Sequence, residues 1–177
     1  MIQNDLVEAI YLDPVLSLGL QESVDKINAK DIVVSIGGTD AGLFLIEKAL
    51  ESISKINQDI KVILVSGPAV TRKFENVTNL GFVDNLHELI FASDLLISLA
   101  GKSTIDEANA YGTPAIFIPI KGHFEQEDNA REQGFVFEDI NRLDKLILGK
   151  LEEKRNQVST NGAQIASDII TKLAFKD

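Results

Sequence analysis

Short apolar runs alternate with segments of helical periodicity along most of the chain. Ile32–Ile36 (IVVSI) and Ile60–Val65 (IKVILV) are mostly apolar runs with one polar residue each, and they predict strands buried on both faces. Strands are also predicted over four further runs: Val77–Leu80, Leu95–Leu99, Ala115–Ile118 and Phe135–Phe137. Apolar residues three or four apart, followed by stop signals, predict helices over 42–56, 85–92, 104–111, 124–133, 141–154 and 158–174.

Strands that alternate with helices predict an α/β fold with a Rossmann-like, doubly wound parallel sheet. We expect one such domain over residues 31–177. Residues 1–30 are predicted to be a lead-in, in which Val7–Leu12 could form a short strand that Pro14 interrupts.

Composition excludes several functional classes. The chain has 177 residues and a net charge of −10, which argues against a partner among nucleic acids. It has no cysteine, so thiolate catalysis and zinc–thiolate sites are excluded, and a cytoplasmic location is favoured. No run of apolar residues is long enough to span a bilayer, and the first residues do not have the pattern of a signal peptide.

The polar, glycine-rich segments follow the predicted strands. In a parallel sheet, ligands bind beyond the carboxyl ends of the strands. Four loops are expected at that edge: 37–42, 81–85, 100–104 and 119–127.

Two familiar nucleotide motifs are incomplete here. Gly101-Lys102-Ser103 has the ending of an NTPase phosphate loop, but Leu96 stands where its first glycine belongs. A dinucleotide fingerprint that begins at Gly37 has Thr39 in place of its second glycine. Both classes of site are therefore disfavoured.

Gly38 and Gly101 each stand where a strand is expected to pass into a helix. Small residues there allow a ligand to approach free N–H groups, and two such sites would suit a diphosphate. The alternative, that both glycines only make tight turns, fits the sequence equally well.

Glu107 has two interpretations. Thr104 and Glu107 have the spacing of a capping box, as do Ser103 and Asp106, and a cap alone would explain them. A carboxylate near the same edge could instead accept hydrogen bonds from a ribose diol.

The polar run 122–129 is harder to explain by structure alone. Gln126 offers a donor and an acceptor suited to sugar hydroxyls, and His123 could pair with a phosphate or cap a turn. No triad, carboxylate pair or metal cluster stands out, so the sequence predicts binding without an evident catalytic group.

Four segments together resemble one known family: "SIGGTD", "NLGFVDNLHELIFASDLLIS", "AGKSTIDEANAYGTPAIFIPI" and "GHFEQEDNA". They are similar to the C-terminal, donor-binding domain of MurG-type glycosyltransferases of family 28, which is one half of a GT-B fold. The resemblance implies an inverting transferase with a UDP-sugar donor, usually UDP-GlcNAc, and no metal or other cofactor.

The resemblance also implies roles for particular residues. Gly38 and Thr39 would face the diphosphate, as would a second loop made of Gly101, Lys102, Ser103 and Thr104. Phe82 and Val83 would hold the uracil, Glu107 the ribose, and Glu125 and Gln126 the sugar. His123 is the one weak candidate for a catalytic group. Two features depart from the family pattern: Lys102 and Ser103 replace small or apolar residues, and Glu125 replaces a glutamine.

The largest departure is length. Members of this family bind the acceptor through an N-terminal domain, which is expected in cis or as a partner subunit in trans. That partner could place the enzyme peripherally at the cytoplasmic membrane face. Two alternatives remain open: a related UDP-sugar hydrolase, and a non-catalytic nucleotide-sugar-binding module.

Overall fold

The structure is a computed structural model that describes residues 30–156 and 162–174. Five parallel strands form one sheet in the order β3-β2-β1-β4-β5. Their bounds are β1 Lys30–Ser35, β2 Ile60–Val65, β3 Thr78–Asn79, β4 Leu95–Leu99 and β5 Ala115–Ile118. The predicted α/β fold with a parallel sheet is confirmed. The strand predicted over Val7–Leu12 lies outside the described residues.

The described residues form six α-helices: α1 Leu43–Ile53, α2 Leu86–Ala92, α3 Lys102–Tyr111, α4 Phe124–Glu132, α5 Leu143–Leu151 and α6 Gly162–Ala174. Helix α1 packs against α5, and α2 packs against α3. Two 3₁₀ turns, Asp40–Gly42 and Phe137–Arg142, precede α1 and α5.

Strands β4 and β5 are fully buried. Every residue of β4 and β5 is buried, as expected for strands that are covered on both faces. The chain leaves β1 towards β2 on one side, while β4 flanks β1 on the other. Ser35 of β1 pairs with Ser98 of β4, so their carboxyl ends are level. A crevice where the strand order reverses in this way is the usual ligand site of such sheets.

Two local predictions are wrong. The strand predicted over Phe135–Phe137 is instead a bend into a 3₁₀ turn, because Asp139 Oδ2 accepts a hydrogen bond from the Val136 N–H at 2.9 Å. Helix α2 was expected to begin after Asp84 as its cap, but Asn85 precedes it and donates through Nδ2 to Glu88 at 2.6 Å.

Candidate ligand site at the carboxyl edge of the sheet

Gly67 holds together the loops that follow β1, β2 and β3. Its N–H donates to the Gly81 carbonyl at 3.0 Å. Its φ is +72°, and a Cβ at this position would lie 2.0 Å from the Gly37 carbonyl oxygen. The loop before Gly38 and the loop that carries Phe82 are therefore joined through this residue.

Helix α4 joins the loops after β4 and β5. Asn129 Nδ2 donates to the Ala100 carbonyl at 3.1 Å, and the Ile120 N–H donates to Gln126 Oε1 at 3.1 Å. Asn129 was not predicted as a site residue, although it belongs to the "EQEDNA" segment. With Gly67, this bond gathers the four predicted loops at one edge of the sheet.

Gly38 and Gly101 differ from Gly67 in what surrounds them. Neither has a left-handed φ, and a Cβ at either position would meet no atom within 4 Å. The protein's own backbone and packing therefore do not require glycine at these two positions. A tight turn does not explain them, and each leaves open space at the crevice.

Helix α3 begins at Lys102, two residues earlier than predicted, with Gly101 as its N-cap. The Gly101 N–H donates to the Leu99 carbonyl, and the first helical bond runs from the Ile105 N–H to Gly101. In the part of the chain that the structure describes, the N–H groups of residues 102–104 have no hydrogen-bond acceptor. Such a helix start attracts anions.

The predicted capping boxes are wrong because Ser103 and Thr104 lie inside the first turn of α3, where neither side chain caps the helix. Lys102 Nζ lies 3.1 Å from Asp106 Oδ1, one turn along the same helix. Its charge is therefore already shared with a carboxylate.

Glu107 lies in the middle of α3 and is half-buried. No hydrogen bond or ion pair to its carboxylate is found within residues 30–156 and 162–174. Burial raises the pKa of Glu107, and the neighbouring Asp106 charge raises it further. Since capping no longer accounts for this residue, its carboxylate is an acceptor without a partner among the described residues.

On the β3 side, the Phe82 ring is 62% exposed, while Val83 packs partly against the core. Thr39 is exposed and precedes the first 3₁₀ turn without capping it through its side chain. An aromatic ring left open beside the crevice offers a surface for a flat ligand group.

The β5 side is ordered by its own polar residues. His123 is the N-cap of α4, and its Nδ1 accepts a long bond of 3.4 Å from the Gln126 N–H. Glu127 Oε1 accepts from the Gly122 N–H at 2.7 Å. Glu125 is exposed, and the Gln126 amide keeps its Nε2 group as a remaining donor.

The described ranges contain a further cavity and no metal cluster. No group of three His, Cys, Asp or Glu residues there is placed to hold a metal ion, and none of the helices there could cross a membrane. A cavity of about 270 Å³ lies at the opposite edge of the sheet, next to Thr113, Pro114 and Ala115. It contains none of the predicted site residues.

Comparison with known protein families gives one match that covers most of the chain. Residues 32–176 match the glycosyltransferase family 28 C-terminal domain.

Relatives and solved structures agree with this match. An uncharacterized glycosyltransferase of Methanosarcina mazei is 35% identical over 140 residues, which cover 73% of this chain and 37% of that protein. The UDP-N-acetylglucosamine–N-acetylmuramyl-(pentapeptide) pyrophosphoryl-undecaprenol N-acetylglucosamine transferase of Alkaliphilus metalliredigens is 30% identical, covering 79% of this chain and 45% of that enzyme. The crystal structure of Acinetobacter baumannii MurG has a TM-score of 0.61 at 17% identity, covering 88% of this chain and 53% of that one. The chain thus spans less than half the length of these two curated relatives.

Proposed function

The chain belongs to glycosyltransferase family 28 as a C-terminal domain with the GT-B architecture, and from that premise we propose that it binds the UDP-sugar donor of an inverting glycosyl transfer. UDP-GlcNAc is the proposed donor, because the Alkaliphilus relative is named for transfer from UDP-N-acetylglucosamine. The acceptor would be bound by an N-terminal domain in cis or by a partner subunit.

One observation carries this proposal: the open space over Gly38 and Gly101 at the strand-order reversal. The free N–H groups of residues 102–104 border that space. A diphosphate placed there would be stabilised by the α3 dipole and by direct amide hydrogen bonds. Thr39 and Ser103 would add hydroxyl donors from the two sides.

The remaining predicted residues fit the other parts of a UDP-sugar. Glu107 would accept hydrogen bonds from the ribose diol, which would compensate for its burial. The Phe82 ring and the backbone of Val83 would hold the uracil. Glu125 and the Nε2 group of Gln126 would contact the sugar hydroxyls.

The chemical contribution of this chain would be to the leaving group. As the bond between the anomeric carbon and the diphosphate breaks, negative charge develops on UDP. Preorganised amides at α3 would stabilise that charge, and no metal would be needed. The base that activates the acceptor would come from the acceptor-binding domain or partner subunit, so residues 1–177 alone should bind donor without transferring sugar.

A hydrolase is less well supported. His123 is the local candidate for a base, but its Nδ1 accepts from the Gln126 N–H. The ring of His123 is thus engaged in capping α4.

The test is isothermal titration of the chain with UDP, UDP-GlcNAc and ATP, together with Gly101→Ala. We expect micromolar UDP binding, and at least about a tenfold loss in Gly101→Ala, because a methyl group would occupy the space of the diphosphate. Gly149→Ala is the matched control, since that glycine is also open but lies in α5, away from the crevice.

The two alanine variants should differ in UDP affinity and in fold stability. Gly149→Ala should leave UDP affinity unchanged and stabilise the fold by about 0.5–1 kcal/mol, because alanine favours a helix interior. Gly101→Ala should fold normally. Failure of UDP to bind, or equal affinity in both variants, would overturn the proposed function.

A further inference from the structure

The Tyr111 hydroxyl is a buried polar group without a partner. Tyr111 ends α3 and is only 4% exposed. In the described part of the chain its hydroxyl forms no hydrogen bond. A buried unpaired hydroxyl destabilises a protein by about 1–3 kcal/mol, so any change that gives this hydroxyl an acceptor would be favourable.

The helix brings this hydroxyl towards Glu107. Residues four apart lie on one face of an α-helix, and long side chains lean towards the helix N-terminus. Tyr111 therefore leans over the turn that carries Glu107. Phe91 of α2 packs edge-on against the Tyr111 ring, with 5.4 Å between ring centroids, and fixes it in this position.

The charges of two carboxylates, on Glu107 and Glu88, reach the hydroxyl and act on its pKa. Burial raises the pKa of Tyr111 to about 12, and the charges of Glu107 and then Glu88 contribute to that rise. The hydroxyl therefore keeps its proton and acts as a donor. Glu88 already accepts a hydrogen bond from Asn85 Nδ2 at 2.6 Å, whereas the Glu107 carboxylate has no donor among the described residues.

We propose that Tyr111 is a positioning residue of the donor site: when a ribose engages Glu107 from the crevice, the Tyr111 hydroxyl donates to the same carboxylate from the buried side. This inference rests on the proposed function, in which Glu107 holds the ribose. The carboxylate would then be fixed between two sets of donors and kept ionised. The helix-start amides hold the diphosphate independently of this contact.

A purely structural role for Tyr111 makes a different prediction. The ring fills the space between α2 and α3, and phenylalanine would fill it equally well. Tyr111→Phe therefore removes only the hydroxyl, and the fold should be as stable as before or more stable, because a buried unpaired group is lost. Thermal unfolding of both proteins measures this.

The binding experiment uses UDP and its 2′,3′-dideoxy analogue, which lacks the ribose hydroxyls. In Tyr111→Phe we expect about a tenfold loss of UDP affinity, as for one hydrogen bond to a charged group. Affinity for the dideoxy analogue should not change. In a Glu107→Ala background, Tyr111→Phe should weaken UDP binding no further, because the acceptor is already gone.

The outcomes separate this inference from the proposed function. If the unaltered chain does not bind UDP, the proposed function fails and this inference fails with it. If the chain binds UDP and Glu107→Ala weakens binding, but Tyr111→Phe binds as tightly as the unaltered chain, only the inference on Tyr111 is overturned. An equal loss for UDP and the dideoxy analogue would also overturn it, since that result indicates a general disturbance of the site.

Discussion

The two edges of the sheet differ in whether their polar groups have hydrogen-bond partners. At the amino edge, Thr113 Oγ1 and Ser93 Oγ both donate to the Ile90 carbonyl, at 2.9 and 3.1 Å. Arg155 donates to Thr113 Oγ1 at 3.2 Å and to the Ser93 carbonyl. At the carboxyl edge, the N–H groups at the start of α3 and the Glu107 carboxylate have no partners among the described residues.

This contrast separates stability from binding. Closed networks of hydrogen bonds stabilise the fold but leave nothing for a ligand to satisfy. Unpaired amides and an unpaired carboxylate weaken the fold and become useful when a ligand supplies their partners. Substitutions at the amino edge should therefore change stability alone, while those at the carboxyl edge should change binding.

Gly67→Ala should have the largest effect on stability. It is also an exception to the contrast between the two edges. Gly67 lies at the carboxyl edge, but it is required by the protein itself, since its Cβ would lie 2.0 Å from the Gly37 oxygen. We expect a loss of about 3 kcal/mol or more in the free energy of unfolding, measured by urea denaturation.

Gly81→Ala is the control for that variant. Gly81 also has a left-handed φ, +70°, but no atom lies within 4 Å of the position of a Cβ. Its substitution should cost only about 1–2 kcal/mol, the usual cost of this backbone region for an L-residue. Equal losses in the two variants would mean that the contact with Gly37 has no energetic importance.

Arg155→Ala tests the amino edge. It removes two hydrogen bonds and the packing of the guanidinium on Phe91, 5.5 Å from the ring centroid. We expect a loss of about 2 kcal/mol of stability by urea denaturation, with UDP affinity unchanged by titration.

Lys154→Ala serves as its control, because the structure gives this exposed neighbour no ion pair or hydrogen bond within the described ranges. Its effect on stability should stay within about 0.5 kcal/mol. A marked fall in UDP affinity in Arg155→Ala, with the fold intact, would show that the two edges are coupled and would break the comparison.

Most of the strands could be predicted from the sequence with little error. The bounds of β2, β4 and β5 match the prediction, because the strands of a parallel sheet appear as short, mostly apolar runs. The strand predicted over Phe135–Phe137 is absent because these residues are apolar without belonging to a sheet. Phe135 is a core residue that packs on Phe117, just before a 3₁₀ turn. An apolar triplet alone does not distinguish these cases.

The site could be predicted only in part. Its loops follow from strand order, but the start of α3 was placed two residues late, because Ser103 and Thr104 have the chemistry of caps while Gly101 precedes the helix without a side chain. The sequence does not distinguish Gly67, which the backbone requires, from Gly101, which leaves open space. The unpaired hydroxyl of Tyr111 depends on the packing of α2 on α3, which no local pattern shows.

The smallest effect we predict is a pH dependence that arises from Glu107. Burial raises the pKa of its carboxyl in the folded chain. Protonation therefore favours the fold: this contribution is fully present below the pKa of the unfolded chain and is lost as the pH rises through the folded pKa. Glu107→Gln should accordingly be more stable than the unaltered chain at pH 7, and the difference should vanish as the carboxyl becomes protonated.

Donor binding should show the opposite trend. Ribose hydroxyls donate to the ionised carboxylate, so binding favours loss of the proton and affinity should fall several-fold between about pH 7 and about pH 4.5. UDP-GlcNAc is the ligand to titrate, because its substituted diphosphate has no proton that dissociates in this range. Glu107→Gln should bind weakly throughout, without that pH step. If the pH-dependent fall in affinity persisted in Glu107→Gln, another group would be titrating. The unpaired Glu107 carboxylate would then not be a group that weakens the fold and strengthens donor binding.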